Sequence, residues 1–179
     1  MRILSDVPYA KIKFQAKFQS LCKLIILKWF VKRSEGETKD LVVELTLPGV
    51  TPEMIDWWWD NMENTEVYKL WHPKAHISFK WEIPPGAHGH VGAIQITEEK
   101  IGPGPSSKLR IRWEDPSTVP IHTTYSHVCA GGTLDKDNNI VSLGVHEYEA
   151  EPGGTKLRTI FRLPAKMPSF LLKKMRQSA

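Results

Sequence analysis

The amino-acid sequence predicts an α+β domain in which a short helix is followed by a curved antiparallel β-sheet. Thr51-Pro52-Glu53-Met54 is typical of a helix start, because it offers Thr as the N-cap, Pro at the first helical position and an acidic residue in the first turn. Later stretches alternate apolar and polar residues and are separated by turns rich in Pro and Gly. Strands that follow one another without long helices between them form an antiparallel meander.

The predicted helix runs from Thr51 to about Glu63; one strand precedes it and six follow. A curved sheet needs an element that covers its concave face, and residues 169–176 offer only about two helical turns for this purpose. We therefore expect a truncated C-terminal helix. The predicted strands are residues 41–47, 75–83, 90–98, 108–114, 119–130, 140–149 and 155–163.

Composition divides the chain into two regions. Residues 1–40 are a basic N-terminal segment, in which residues 10–33 have apolar side chains near a helical period and residues 34–40 are a polar linker. We expect this helix to dock on the domain, to pair with a partner or to lie on a membrane surface, and docking is the commonest of these outcomes. Residues 41–179 form the predicted domain, which we expect to be incomplete at its C-terminal end.

Charge and composition exclude several classes of function. The formal net charge is +4, and the basic residues lie at the two ends of the chain while the aromatic residues lie in the middle. A nucleic-acid-binding face needs basic and aromatic residues interleaved on one surface, so we predict no nucleic-acid partner. The longest apolar run is too short and too interrupted by Lys to span a membrane. Cys22 and Cys129 form no C-x-x-C unit and are expected to be free thiols in the cytoplasm.

Aromatic and histidine side chains are concentrated in residues 57–81. The chain has seven Trp, three of them consecutive at 57–59, which predicts a core wall or a pocket for a flat apolar ligand. His72 and His76 are four residues apart, but Pro73 between them argues against a regular helix that would bring both to one metal ion. We therefore expect one of the two to be a ligand, with partners from elsewhere in the fold.

Six stretches of the sequence together resemble one protein family. They are T-P-E-M-I-D-W-W-W at 51–59, Y-K-L-W-H-P-K-A-H-I-S-F at 68–79, H-V-G-A-I-Q-I-T-E-E-K-I-G at 90–102, L-R-I-R-W-E-D-P at 109–116, V-H-E-Y-E at 145–149 and G-G-T-K-L-R at 153–158. On these motifs the chain resembles the diacetylphloroglucinol hydrolase family, which includes phloretin hydrolase. The resemblance implies a helix-grip fold of the Bet v 1 type around an apolar pocket. It also implies a zinc-dependent hydrolase that cleaves the carbon–carbon bond between an acyl group and a phenolic, phloroglucinol-type ring.

The resemblance also implies roles for individual residues. His76 corresponds to a zinc histidine, and Tyr68 to a pocket tyrosine that orients phenolic hydroxyls. His146 corresponds to the histidine that handles the proton as the ring carbon leaves. The remaining residues expected around the substrate are Trp57, Trp58, Trp71, Phe79 and Phe161.

Two neighbouring carboxylates are candidates for the zinc glutamate. Glu98 is preferred because strand parity would place it on one face with Ile94 and Ile96, which we expect to line the pocket. Glu99 is the alternative if a bulge exchanges the two faces.

Three departures from the family pattern bear on the metal. The family's second His and Glu ligands lie on a C-terminal helix as H-x-x-x-E, and this sequence has no such motif there. Phe161 stands where a second pocket tyrosine is expected, and Phe79 where a polar residue is expected after the zinc histidine. His76 and Glu98 alone are fewer than the three protein ligands of a usual catalytic zinc site.

Two functions therefore follow from the sequence. The first is a zinc-dependent hydrolase that acts on a small aromatic acyl-phenol substrate. The second is a catalytically impaired or truncated family member that binds a small aromatic ligand without a complete metal site. An apolar face left open by the truncated helix would also favour a homodimer.

Overall fold

A computed structural model describes residues 37–100 and 106–166 of the chain. In these ranges seven strands form one antiparallel sheet, and two helices connect its first and second strands. The α+β class and the order of a short helical region before a meander are confirmed. The elements are β1 (Thr38–Pro48), α1 (Pro52–Asp60), α2 (Thr65–Trp71), β2 (His76–Ile83), β3 (Ile94–Glu99), β4 (Ser107–Glu114), β5 (His127–Leu134), β6 (Ile140–Glu151) and β7 (Gly154–Pro164).

The strand order explains why the helices lie across the sheet. The order is β1-β7-β6-β5-β4-β3-β2, so β2 to β7 form a meander and β1 pairs with β7 at the far edge. The chain leaves the sheet at β1, at one edge, and re-enters it at β2, at the other. The α1–α2 segment must span this distance, and it does so over one face of the sheet.

Both helices begin at side-chain caps. The hydroxyl oxygen of Thr51 accepts from the backbone N–H of Met54, as the sequence predicts for α1. The carboxamide oxygen of Asn64 accepts from the N–H of Val67 at 3.0 Å and starts α2, a helix that the sequence analysis does not predict. The helix predicted from 51 to about 63 is thus two shorter helices, since α1 ends at Asp60.

The main hydrophobic core lies between the two helices and the sheet. Ile55, Trp58 and Met62 are completely or almost completely buried there and pack with Trp71 and Leu157. Burying one large apolar side chain contributes roughly 2–3 kcal/mol, so these contacts dominate the stability of the helix–sheet interface. No helix in the described part of the chain is long and apolar enough to cross a membrane.

Two predicted strands differ from the structure. Residues 90–93 form a turn rather than the start of the strand predicted over 90–98, since Gly92 has a positive φ of 87° and β3 begins at Ile94. The strand predicted over 119–130 is largely a loop, and β5 begins only at His127. Pro120 lacks an N–H for a sheet hydrogen bond, which disfavours a strand at this point.

A buried carboxylate holds this loop against the sheet. Glu147 of β6 is completely buried and accepts from the backbone N–H groups of Thr124 at 2.6 Å and Tyr125 at 2.9 Å. It also pairs with the guanidinium of Arg158 on β7. Burial alone would raise the pKa of Glu147, but the two N–H groups and the guanidinium together lower it.

The chain ends of the predicted domain are only partly described. β1 begins at Thr38, so the last three residues of the predicted 34–40 linker belong to the sheet. The predicted helices over 10–33 and 169–176 lie outside the described residues.

Candidate active site

A cavity of about 140 Å³ lies between the helices and the concave face of the sheet. Cavities of about this size bind a benzene ring. Trp58 and Trp59 of α1 and Trp71 of α2 form the helical wall, and most of the remaining lining is apolar. The sheet contributes Leu109, Ile111, Trp113, Cys129, Ala130, Gly131, Gly144, Phe161 and Leu163, with a few polar side chains among them.

Three of the five aromatic residues expected around the substrate line this cavity, and two do not. Trp58, Trp71 and Phe161 line the cavity, as predicted. Trp57 does not line the cavity and Trp59 does, because residues two positions apart in a helix are rotated by about 200° and point to nearly opposite sides. Phe79 is buried behind the lining, where its ring packs 5.3 Å from that of Tyr68.

Asp56 fixes the orientation of the tryptophan helix α1. Its carboxylate accepts from the hydroxyl of Tyr148 on β6 at 2.6 Å and lies 2.9 Å from Nδ1 of His127 on β5. These two contacts join α1 to the middle of the sheet. Trp58 and Trp59, which follow two and three positions later, are thereby held over the cavity.

Tyr68, His76 and Glu99 meet at one end of the cavity. His76 and Glu99 are directly paired residues of β2 and β3, so their side chains leave the sheet side by side. The Tyr68 ring stacks on the His76 ring with centroids 3.9 Å apart. The Tyr68 hydroxyl donates to Glu99 at 2.5 Å, and the Thr97 hydroxyl donates to the same oxygen at 3.2 Å. Burial and the neighbouring Glu99 raise the pKa of Tyr68 well above its usual value, so the hydroxyl stays protonated.

The hydrogen bond of His76 determines its tautomer. Nδ1 lies 2.8 Å from the backbone carbonyl oxygen of Tyr68, which can only accept. Nδ1 therefore carries the proton, and Nε2 keeps its lone pair. Burial lowers the pKa of His76, which favours this neutral form. A histidine held in this way by a carbonyl is suited to bind a metal or accept a proton through Nε2.

The expectation that Glu98 faces the pocket is wrong. Glu99 lines the cavity together with Gln95, and Thr97 between them is completely buried. Glu98 lies on the opposite face of β3, where it accepts from the hydroxyl of Ser106. The β2–β3 pairing does have an irregularity opposite these residues, but its extra residue lies on β2, between His76 and Ser78. β3 pairs with β4 without a register shift, so the faces of β3 alternate regularly. The polar side chains Gln95, Thr97 and Glu99 share the cavity face of β3, and the isoleucines on which the parity argument depends lie on its other face.

His146 lies in the cavity near this group, as its assigned role requires. It is on β6, its Nδ1 is 2.8 Å from the hydroxyl oxygen of Thr159, and its ring centroid is 5.6 Å from that of Trp59. Burial lowers the pKa of His146 to about 4. The imidazole is therefore neutral at pH 7.

His72 is close to this group but is not suited to bind a metal. Its Nδ1 accepts from the backbone N–H of Ala75 at 3.0 Å, so the proton of the neutral ring is on Nε2. That Nε2 is buried and has no hydrogen-bond partner among the described residues. Burial lowers the pKa of His72, and the neighbouring His76 lowers it further.

Cys129, a cavity residue that the sequence gives no reason to select, is not suited to act as a nucleophile. It pairs directly with His146 across β5 and β6, and burial raises the pKa of its thiol far above the usual value. The reactive form of cysteine is the thiolate, which this environment suppresses.

Most of the chain matches the model of one protein family. A model of the DAPG hydrolase PhiG domain, where DAPG is diacetylphloroglucinol, matches residues 33–178. The chain belongs to the DAPG hydrolase family. The family is one of hydrolases that act on C-acyl phenols, which are small molecules. No curated protein sequence matches the chain significantly.

Among the solved structures similar to this chain, one of the Bet v 1 type supports the fold. The Bet v 1-like protein Ara h 8.0201 has a TM-score of 0.50 and 17% identity, over 79% of this chain and 89% of that one. A protein from Nitrosomonas europaea has a TM-score of 0.46 and 13% identity, over 78% of this chain and 92% of that one. The helix-grip fold expected from the sequence is confirmed.

The described residues of this DAPG hydrolase domain do not provide a complete set of ligands for a catalytic zinc. Nε2 of His76 and the carboxylate of Glu99 are two suitable donors on adjacent strands. A catalytic zinc usually has three protein ligands. Across residues 37–100 and 106–166 there is no group of three or more His, Cys, Asp or Glu side chains that could hold a metal ion. The donors present therefore do not fit a complete catalytic zinc site.

Proposed function

We propose that this protein hydrolyses the carbon–carbon bond between an acyl group and a phenolic ring. One observation carries the proposal: Tyr68, His76, Glu99 and His146 all line one cavity whose other walls are mainly aromatic and aliphatic. Such a cavity suits a flat phenolic ring, and the polar side chains supply hydrogen-bonding and proton-accepting groups beside it. Membership of the DAPG hydrolase family supports this choice of substrate.

Tyr68 is proposed to orient the substrate. Its hydroxyl proton is directed to Glu99, so the oxygen is left to accept a hydrogen bond from a phenolic hydroxyl. The pKa of Tyr68 is raised, and a protonated tyrosine places no negative charge against the electron-rich ring. The side chain is buried and stacked on His76, so its position is fixed before the substrate binds.

His146 is proposed to transfer the proton. Because its pKa is lowered to about 4, the ring is a neutral base at pH 7. It takes a proton from a water molecule as the water oxygen bonds to the acyl carbon. When the bond between that carbon and the ring breaks, its electron pair stays on the ring carbon, and the imidazolium returns the proton there. The products are a carboxylic acid and the deacylated phenol, and the atoms balance with one water consumed.

Zinc is proposed as the metal, with His76 and Glu99 as the ligands that the described residues provide. The support is the tautomer of His76, which leaves Nε2 available, and the direct pairing of the two residues across β2 and β3. Metal analysis of purified protein tests this assignment: His76→Ala and Glu99→Ala should each lower bound zinc. Equal zinc in the wild type and both variants would remove the assignment.

Product analysis tests the proposed reaction. The protein is incubated with a C-acyl phloroglucinol, and the acid and the deacylated phenol are quantified by chromatography. His146→Asn should lower kcat by at least about a hundredfold, the usual contribution of general acid–base catalysis. His122→Asn is the matched control, because His122 is an exposed residue outside the cavity. Cleavage that His146→Asn leaves unchanged would overturn the role of His146, and absence of both products would overturn the activity.

A second candidate function is binding of a small aromatic ligand without turnover. The incomplete set of zinc donors among the described residues favours it. Under this alternative, acyl phenols would bind in the cavity and be recovered unchanged, even with zinc added.

A further inference from the structure

The cavity has a second polar position, at the other end of β3 from Glu99. Gln95 lines the cavity and is only 6% exposed. Its side-chain oxygen accepts from the indole N–H of Trp113 at 2.9 Å. Neither the hydrolytic group nor the proposed mechanism uses this amide, and a buried polar side chain in an apolar wall requires an explanation.

The contact with Trp113 fixes which way the Gln95 amide faces. An indole N–H can only donate, so its partner must be the oxygen of the amide and not its nitrogen. This removes the usual ambiguity between the two ends of a glutamine side chain. The NH2 group is therefore directed away from Trp113 as a hydrogen-bond donor.

Trp113 is itself held in place. It lies on β4, its ring stacks on that of His90 with centroids 4.5 Å apart, and the Trp59 ring meets it nearly perpendicularly at 5.1 Å. Trp113 is 8% exposed. The acceptor end of Gln95 is thus fixed by a packed aromatic group, which makes the donor end a preorganised binding group.

The distance between the two polar positions sets the shape of the ligand. Gln95 and Glu99 are four residues apart on one face of a strand, so their Cα atoms are about 13 Å apart. Trp59 lies between the ends, since its ring is 5.1 Å from Trp113 and 5.6 Å from His146. A phenolic ring resting on Trp59 would have one side near His146 and the other toward Gln95.

We propose that Gln95 is a specificity-determining residue that donates a hydrogen bond to an oxygen on the side of the ring remote from the scissile acyl group. The inference rests on the proposed function, because that function places the scissile acyl carbon beside His146. The expected ligand is an acyl phenol in which a further phenolic hydroxyl or a second acyl group supplies this remote oxygen. A ring without the oxygen leaves the buried amide without an acceptor, and the protein discriminates against it.

The test uses two ligands that cannot be hydrolysed. One is an ethyl-substituted benzenetriol with a hydroxyl para to the ethyl group; the other is the matching benzenediol without that hydroxyl. Binding is measured by quenching of tryptophan fluorescence, which the aromatic cavity wall provides, and confirmed by calorimetry. Wild-type protein should bind the triol about tenfold more tightly, the effect of one hydrogen bond of about 1.4 kcal/mol.

Two substitutions separate the donor from the packing. Gln95→Leu removes the whole amide, and Gln95→Glu keeps an acceptor for Trp113 while it removes the NH2 group. Both should reduce the ratio of the two dissociation constants to about one, whereas Thr133→Val, which removes a different cavity hydroxyl, should keep the wild-type ratio. Circular dichroism establishes whether each variant is folded. If Gln95→Leu is not folded, Gln95→Glu alone provides the test.

The outcomes distinguish this inference from the proposed function. A tenfold preference that disappears in Gln95→Glu supports the role of Gln95 even if no acyl phenol is hydrolysed. A wild-type ratio near one, an unchanged ratio in Gln95→Glu, or no binding of either compound overturns it, whatever the result of the hydrolysis assay.

Discussion

The lowered pKa of His146 predicts a specific loss of stability in mild acid. Its pKa is about 4 in the folded protein, against a usual value of 6.5 that applies to the unfolded chain. In the pH range between these values, the unfolded chain binds a proton at this position and the folded protein does not. Stability is therefore greatest above about pH 6.5 and falls as the pH decreases toward 4.

The magnitude follows from the difference between the two pKa values. A difference of about 2.5 pH units corresponds to about 3 kcal/mol in the acid limit, since each unit is worth about 1.4 kcal/mol. Between about pH 7.5 and pH 5 the free energy of unfolding falls by about 2 kcal/mol. This is an upper value, because the His146 ring can be reached through the cavity.

Urea unfolding of the wild type and His146→Asn at several pH values measures this loss. Asparagine can keep a hydrogen bond to Thr159 but does not titrate in this range, so effects of the other histidines cancel in the comparison. The wild type should lose up to about 2 kcal/mol more than the variant between pH 7.5 and pH 5. His122→Asn should follow the wild type. Parallel curves for the wild type and His146→Asn would refute the lowered pKa of His146.

Three further substitutions test other contacts. Tyr68→Phe removes the hydroxyl that donates to Glu99, so it should lower the free energy of unfolding in urea by about 2 kcal/mol and raise KM. A loss of stability below about 0.5 kcal/mol would contradict the hydrogen bond. Arg158→Ala leaves the buried carboxylate of Glu147 without its cation and should cost about 3 kcal/mol near pH 7. The cost should shrink as the pH falls toward the lowered pKa of Glu147 and the carboxyl is protonated; equal stability at pH 7 would contradict the ion pair. Asp56→Ala removes the acceptor that joins α1 to β6, so it should destabilise the protein by about 2 kcal/mol and shift the tryptophan fluorescence spectrum. An unchanged spectrum would contradict the role of Asp56 in holding α1.

Local sequence signals were sufficient for the helix start and for most strands. The N-cap at Thr51 and the Pro after it act within one turn, so the start of α1 can be predicted from four residues. The cap at Asn64 is of the same kind and could have revealed α2, with Glu66 in its first turn as a second signal.

The inward face of β3 could not be predicted from hydrophobicity. Both faces of this strand carry buried residues, with Ile94 on one and the polar Gln95 and Thr97 on the other. The rule that apolar side chains face the core therefore selects the wrong face, because the polar side chains are buried with partners in the cavity wall. The choice between Glu98 and Glu99 depends on which face of β3 lines the cavity, and only the structure shows this.

The polar residues of the cavity are brought together by strand pairing across the sheet. His76 and Glu99 meet because β2 and β3 pair in one register, and Gln95 reaches Trp113 across β3 and β4. These contacts join residues far apart in sequence, and the sequence alone carries no register for them. The resemblance to the family selected Tyr68, His76 and His146, all of which line the cavity, whereas Gln95 and Cys129 had no local signal.

A crystal structure of the protein with a bound ethyl-substituted benzenetriol would show whether the aromatic cavity is the active site. We expect the ring inside the cavity against Trp59, with the ethyl group toward Tyr68 and His146 and the para hydroxyl within hydrogen-bond distance of the Gln95 amide nitrogen. A ligand bound elsewhere on the protein, with the cavity unchanged, would contradict the assignment of this cavity as the active site.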